Sequence, residues 1–538
     1  MALFCAHRTL GTQVPTYFIE SNAPNNVEDP AMAPYQDIPG RLQLIPDADD
    51  AIKEIAEHLA NAQNPNLVFM VHGFSNPQRI VVPVYAAASD AIERDPEIVR
   101  AHEGLVCVGY RWPSEHIGDP FSGTWAALPL LPTWLLRIGV AAVILLAFLL
   151  FAWELNTPWQ WVGHVLVILA WILPGMVITA AILRVVAYFR DNYRAQTYGV
   201  PDLVEIIRKI DAAIVARDAG RKRGDEARVQ LSFIGHSMGA FVVTNAIRVL
   251  TDLFGADAVH RRPRINAGVV NEQTERESAE RGTRRPRASP HIGNVFRMMR
   301  FVLASPDIPA EALLSNRANF LQASLLRFDE AFLFSNEGDE VLRQISTVAN
   351  YFIFPTKTRN HGFRLGNVEI LSEGYGVIKP APGDFLRILR VGYRTLQELY
   401  DELKRARPEA IQNALPEVFT YFDCTDYRDR EYLAMERRWG PERPLLTYAL
   451  RTKQHNPRKG LNAFQHIRLL ASYPKPVNCH GGYFQGDLSQ ELMYRLVCLG
   501  YRATVAGYGG LDELSARCDQ KQIRMVVSPE LAPRGTGG

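Results

Sequence analysis

The chain has 538 residues, 47% of them hydrophobic and 22% charged, enough for two domains or for one core carrying large insertions. A net charge of +2, from 59 basic and 57 acidic side chains, excludes binding built on a strongly basic surface, so nucleic acid is not the expected partner. The six cysteines, at positions 5, 107, 424, 479, 498 and 518, have none of the short spacings of a zinc or thiol-redox motif. Reduced thiols in a cytosolic compartment are the simplest reading. Met1 to Pro15 lacks the basic start, apolar run and cleavage site of a signal peptide.

Leu67 to Val71 (L-V-F-M-V) is a continuous apolar run ending in His72-Gly73, the pattern of a buried parallel strand. Pro77 to Arg94 then carries helical periodicity, and Leu105 to Tyr110 is a second strand running into Trp112-Pro113-Ser114. Two long apolar stretches follow, Trp134 to Trp153 and Trp161 to Ile182, the second interrupted by His164 and Pro174. Each is close to the ~20 residues that cross a bilayer as a helix. Tryptophans 134, 153, 159, 161 and 171 mostly sit near their ends, where amphipathic rings favour the interface.

The turn from Glu154 to Gln160 has no Lys or Arg, whereas Arg111 and Arg137 lie on the entry side of the pair and Arg184, Arg190 and Arg194 on the exit side. By the positive-inside rule the turn faces out and both flanks face the cytoplasm. The expectation is a two-helix transmembrane hairpin over residues 121–190, which anchors a cytoplasm-facing body to an inner or plasma membrane.

Pro201 to Arg217 is an amphipathic helix with Leu203, Ile206, Ile207, Ile210 and Ile214 on one stripe. Val229 to Ile234 is a third strand and Ser237 to Leu250 a helix. Residues 261–290, rich in arginine and glutamate with no apolar period, read as a flexible insertion. Phe296 to Ala304, Ala331 to Phe334 and Val418 to Phe422 are strand candidates. Asp384 is placed to cap a long helix reaching about Arg407, a lid-like insertion over residues 380–410. A last helix runs from about Leu488 to Leu499. Strands alternating with helices predict an α/β fold with a mostly parallel, doubly wound sheet. The expected division is residues 1–120 and 191–505 for the core, with 506–538 as a tail.

Gly235-His236-Ser237-Met238-Gly239 sits between a predicted strand and a predicted helix, where a nucleophile elbow presents its serine. Ser237 is therefore the candidate nucleophile. The loop His72-Gly73-Phe74-Ser75 follows an earlier strand, so the Phe74 and Met238 amides are the candidate oxyanion donors. The His72 imidazole reads as structural.

A serine needs a base, and the order Ser…Asp/Glu…His puts it late: His361, His455, His466 or His480. His480, in Asn478-Cys479-His480-Gly481-Gly482-Tyr483 before a helix, is preferred, with His361 as the main competitor. For the acid, Asp339 in S-N-E-G-D is preferred over Asp307 in A-S-P-D, with Asp423 and Asp426 as weaker options. Cys479 reads as a core thiol. No glycine-rich loop with a lysine supports nucleotide chemistry.

Together V-H-G-F (71–74), R-W-P-S (111–114), G-H-S-M-G (235–239), A-S-P-D (304–307), S-N-E-G-D (335–339) and H-G-G-Y (480–483) resemble the alpha/beta-hydrolase superfamily. They are most similar to its bacterial branch of esterase- and lipase-like proteins. The resemblance covers Leu67 to about Leu499. It implies the alpha/beta-hydrolase fold, ester hydrolysis through an acyl-enzyme, no metal and no organic cofactor. The apolar hairpin and the long stretch between Asp339 and His480 depart from the basic core. The expected activity is hydrolysis of carboxylic esters or lipids at a membrane. The alternatives are acyl transfer or thioester cleavage by the same residues, or a scaffold that keeps the fold without catalysis.

Overall fold

The computed structural model describes residues 4–34, 42–114, 185–218, 227–253, 290–309, 324–346, 364–370, 377–380, 393–395, 418–433, 438–448 and 477–528, with single positions 141, 145, 162 and 531. Its centre is an eleven-stranded mixed sheet. In chain order the first strands are β1 (Phe4–Thr9), β2 (Thr16–Ser21), β3 (Leu42–Ile45), β4 (Asn66–Val71), β5 (Leu105–Arg111), β6 (Val229–His236), β7 (His291–Ile292), β8 (Phe296–Ala304) and β9 (Glu330–Ser335). Three short strands, β10 (Glu369–Ile370), β11 (Val377–Pro380) and β12 (Tyr393–Thr395), make a separate antiparallel sheet. Then come β13 (Phe419–Asp423), the hairpin β14 (Arg428–Leu433) and β15 (Arg438–Pro444), and β16 (Arg524–Val526).

The main sheet runs in the order β16-β13-β9-β8-β6-β4-β5-β2-β1-β3, with β7 beside β8. From β2 to β13 every neighbouring pair is parallel. The antiparallel pairs are confined to β1, β3, β7 and β16.

Burial explains why the central strands read as unbroken apolar runs: helices cover both faces. Alternate β4 side chains divide between two cores, Leu67, Phe69 and Val71 in one, Val68 and Met70 in the other. The first core is closed by α1 (Ala48–Asn61), and by two later helices, Val200–Arg217 and Met238–Leu253. The second is closed by α2 (Gln78–Arg94), which the short α3 (Pro96–Arg100) follows, and by helices near the C-terminus. In chain order these remaining helices are α4 (Val200–Arg217), α5 (Met238–Leu253), α6 (Asp487–Cys498), α7 (Tyr501–Gly507) and α8 (Leu511–Gln520). Strand order reverses beside β4 and β6. In open α/β sheets such a reversal opens a crevice at the carboxyl ends of the strands, where ligands bind.

Three expectations need correction or placement. Residues 506–538 are more than a tail: Leu514 and Cys518 of α8 and Ile523 before β16 are buried, and β16 pairs with β13. The helix expected from Asp384 to about Arg407 is not continuous, because Tyr393–Thr395 pairs with Val377–Pro380 as a strand. Pairing with a neighbouring strand outweighs a local helical pattern there; the other residues of that stretch lie outside the described ones. The runs Trp134 to Trp153 and Trp161 to Ile182 also lie outside them apart from positions 141, 145 and 162, as do His361, His455, His466 and the 261–290 insertion except Pro290. Among the described residues no helix is long and apolar enough to cross a membrane.

Candidate active site

Ser237 joins β6 to α5 with φ of 53°. A left-handed backbone on a non-glycine residue is costly and persists where its surroundings hold it. Here the Ser237 amide donates to Ala304 O at 3.0 Å and its carbonyl accepts from the Asp307 amide at 3.1 Å, so the end of β8 clamps the turn on both sides. The β4 loop passes close by: a Cβ on Gly73 would stand 2.6 Å from Ser237 Cβ. One on Gly239 would press into the Val71 and His72 carbonyls. Glycine at both positions lets the two loops meet.

Ser237 is fully buried, and its Oγ takes no hydrogen bond among the described residues. The same holds for His480 Nε2. Leaving such atoms unpaired costs stability, which is a reason to look for a ligand or a reaction at that point. His480 is held beside the elbow from several directions. Its ring centroid lies 4.8 Å from that of His236 and 6.3 Å from that of Phe74. His236 Nε2–H donates to His480 O at 2.9 Å, and Asn336 Nδ2 donates to Cys479 O at 2.8 Å. Asn478 Oδ1 accepts from the Gly481 amide at 2.7 Å.

The other imidazole nitrogen, Nδ1, lies 2.7 Å from Asp339 Oδ2. Asp339 is fully buried and its remaining acceptor capacity is filled. Its Oδ1 accepts from the Val341 and Leu342 amides, both at 3.1 Å, and Oδ2 also accepts from Ser305 Oγ. With the carboxylate accepting at both oxygens, the His480 Nδ1–H donates to Asp339 Oδ2 and leaves a lone pair on Nε2. Burial alone would push the His480 pKa down; the charge and hydrogen bond of Asp339, with a further contribution from Asp307, outweigh it and leave it above the ordinary 6.5.

Asp307, the alternative acid, does something else. Its carboxylate pairs with Arg364 Nε at 2.9 Å and accepts from Ser346 Oγ at 3.1 Å. Arg364 in turn donates to Tyr188 Oη at 3.1 Å. This buried pair supports the floor of the elbow and makes no hydrogen bond to His480 among the described residues. Asp423 is bound to Arg524 at 2.9 Å and to Thr425 Oγ1, and Asp426 lies in the turn after β13.

His72 is structural. Its Nε2 accepts from the Trp112 amide at 3.2 Å, its Nδ1–H donates to Gly73 O, and its ring stacks on Trp112 at 5.0 Å. Burial, with the Arg111 charge adding to it, pushes it down to about 3, so it stays neutral. Burial likewise pushes the Cys479 thiol up to about 12, which removes it as a nucleophile near neutral pH.

The Phe74 amide takes no hydrogen bond among the described residues, and Met238 opens α5, where helix amides have no intrahelical acceptor. Sequence reading missed His236, Ser305 and Arg364. Two of them lie inside quoted motifs, at the variable positions of G-H-S-M-G and A-S-P-D.

No protein-family model, curated protein or solved structure matches this chain. Chemically, the arrangement offers a buried hydroxyl, an imidazole with one nitrogen bound to a carboxylate, and the Phe74 and Met238 amides, which lack acceptors among the described residues.

Proposed function

We propose that this chain is a serine hydrolase of the alpha/beta-hydrolase type, acting on carboxylic esters or lipids. The observation that carries this reading is the hydrogen bond between His480 and Asp339, together with His480 Nε2 and Ser237 Oγ, the latter on a left-handed turn, both buried and without a hydrogen bond among the described residues. The strand positions support it. The serine follows the central β6, the acid follows β9, and the base comes after β13, the last parallel strand, in the chain order that such enzymes use.

In this reading Ser237 Oγ attacks the ester carbonyl while His480 Nε2 takes its proton. The developing oxyanion sits on the Phe74 and Met238 amides. His480 returns the proton to the departing alkoxide, which leaves an acyl group on Ser237, and a water activated by the same nitrogen releases the acid. The two apolar runs from Trp134 to Ile182 support a membrane anchor. Anchoring would raise the local concentration of lipid esters around the site.

Hydrolysis of p-nitrophenyl esters tests the reading. Only neutral His480 accepts a proton, so kcat/KM falls as pH drops through its pKa. That acidic limb is expected above the ordinary 6.5. No hydrolysis by the folded protein between about pH 6 and 9, or a rate flat through that range, would count against an imidazole base.

A further inference from the structure

The loop that carries Phe74 is fixed by a carboxylate far away in sequence. Asp191 is fully buried and stands on the helical stretch 185–199 that follows the apolar runs. Its Oδ2 accepts from the Ser75 amide at 2.9 Å and from Ser114 Oγ at 2.6 Å. Ser114 Oγ in turn accepts from the Asn76 amide at 3.1 Å. One carboxylate oxygen thus fixes the two amides after Phe74, one directly and one through Ser114. Ser75 itself is held at φ of 58°, another left-handed non-glycine position. Asp191 Oδ1 is bound to Arg194 at 2.7 Å, and Arg194 Nε donates to Asn25 O, so the carboxylate cannot swing away without breaking a buried ion pair.

With the amides of residues 75 and 76 already engaged, the Phe74 amide just before them keeps no hydrogen bond among the described residues. The side chain of Trp112, two residues before Ser114, closes the other end by donating its indole N–H to His72 O at 3.0 Å. This assigns work to the R-W-P-S motif, which the triad does not use.

We infer that Asp191, acting with Ser114, is the positioning residue of the oxyanion hole: it aims the Phe74 amide by fixing the two amides that follow. The inference rests on the serine-hydrolase reading of the site. It also ties the oxyanion hole to the helical stretch 185–199, which follows the apolar runs in sequence.

The test compares wild type with Asp191→Ala, Asp191→Asn and Ser114→Ala in two assays. The first measures turnover of an ester and of its thionoester, whose sulfur is a poor acceptor and gains little from an oxyanion hole. Misaimed donors cost about 10- to 100-fold in kcat on the ester, with KM within about threefold. The ester-to-thionoester ratio should fall alongside in Asp191→Ala and Ser114→Ala. A variant that is merely less stable loses both substrates equally. Asp191→Asn keeps an acceptor for the Ser75 amide and should recover most of the ratio.

The second assay is hydrogen exchange at the Ser75 and Asn76 amides, which reads the loop whether or not an ester is turned over. Exchange should accelerate in Asp191→Ala, and at Asn76 in Ser114→Ala, which keeps the Asp191–Arg194 pair if Asp191→Ala does not fold. Unchanged protection, or an unchanged ratio in an active enzyme, overturns the assignment of Asp191. Protection that depends on Asp191 in a wild type inert to both esters overturns the hydrolase reading instead, and the oxyanion role with it.

Discussion

Ser237→Ala is expected to lower kcat on a simple ester by about 10⁶-fold, the loss seen when a triad nucleophile is removed, leaving about 10³- to 10⁴-fold over water from oxyanion donors and binding. Alanine has the same Cβ and meets the same left-handed backbone, so the turn is not altered. What disappears is a buried hydroxyl that has no hydrogen bond among the described residues. Removing an unsatisfied polar atom relieves a desolvation cost, so the variant should be as stable as wild type or slightly more so. Activity lost while thermal stability holds is the signature of a site in which stability is given up for chemistry. Steady-state kinetics with thermal unfolding of both proteins measures the two together. Activity above about 1% of wild type would move the nucleophile elsewhere.

Asp339→Asn should lower kcat by about 10⁴-fold, because an amide cannot keep the imidazole in the right tautomer. The asparagine would present an N–H to Nδ1, shifting the proton to Nε2 and turning the base into a donor. The pH profile changes too. Burial pushes His480 down, and the Asp339 charge and hydrogen bond are the chief opposing influences. Without the charge the acidic limb moves to lower pH. Asp307→Asn is the control. It should leave the limb close to its wild-type position, since Asp307 contributes only through its more remote charge, but it removes the buried negative charge paired with the Arg364 guanidinium. Breaking a buried pair in this way typically costs 3–5 kcal/mol, here about that order. The two aspartates are thus separated by what fails: chemistry in one, folding in the other. The same low activity and the same limb in both would contradict the division.

Both acids were visible in the sequence, with Asp339 preferred, but the contacts that separate them were not. Each follows a strand in a turn-like setting, and only the fold reveals that Asp339 meets a histidine 141 residues further on. The buried strands β4, β6, β8 and β9 were legible because both faces are covered, which gives long apolar runs. β1 and β3 escaped notice for the opposite reason. They are short strands at one edge of the sheet, with polar residues such as His7, Arg8 and Gln43 interrupting their apolar ones.

Asp191 was the least legible. In the string R-D-N-Y-R it reads as a solvated helix charge, and nothing local reveals that loops from residues 75 and 114 close over it. His236 and Ser305 lay inside recognised motifs, but their work is to hold His480 and Asp339, and such contacts between distant segments leave no periodic signal. β12 shows the converse, a helical pattern that gives way to pairing with β11.

The central claim is that Ser237 is activated by His480, and covalent labelling with a fluorophosphonate probe tests it most directly. Intact-mass and peptide analysis would be run on detergent-solubilised wild type, Ser237→Ala and His480→Ala. One adduct per chain on the Ser237 peptide of wild type, lost in both variants, is the predicted result. Labelling that survives in His480→Ala would mean another base, and a well-folded wild type that takes no label would contradict the catalytic reading.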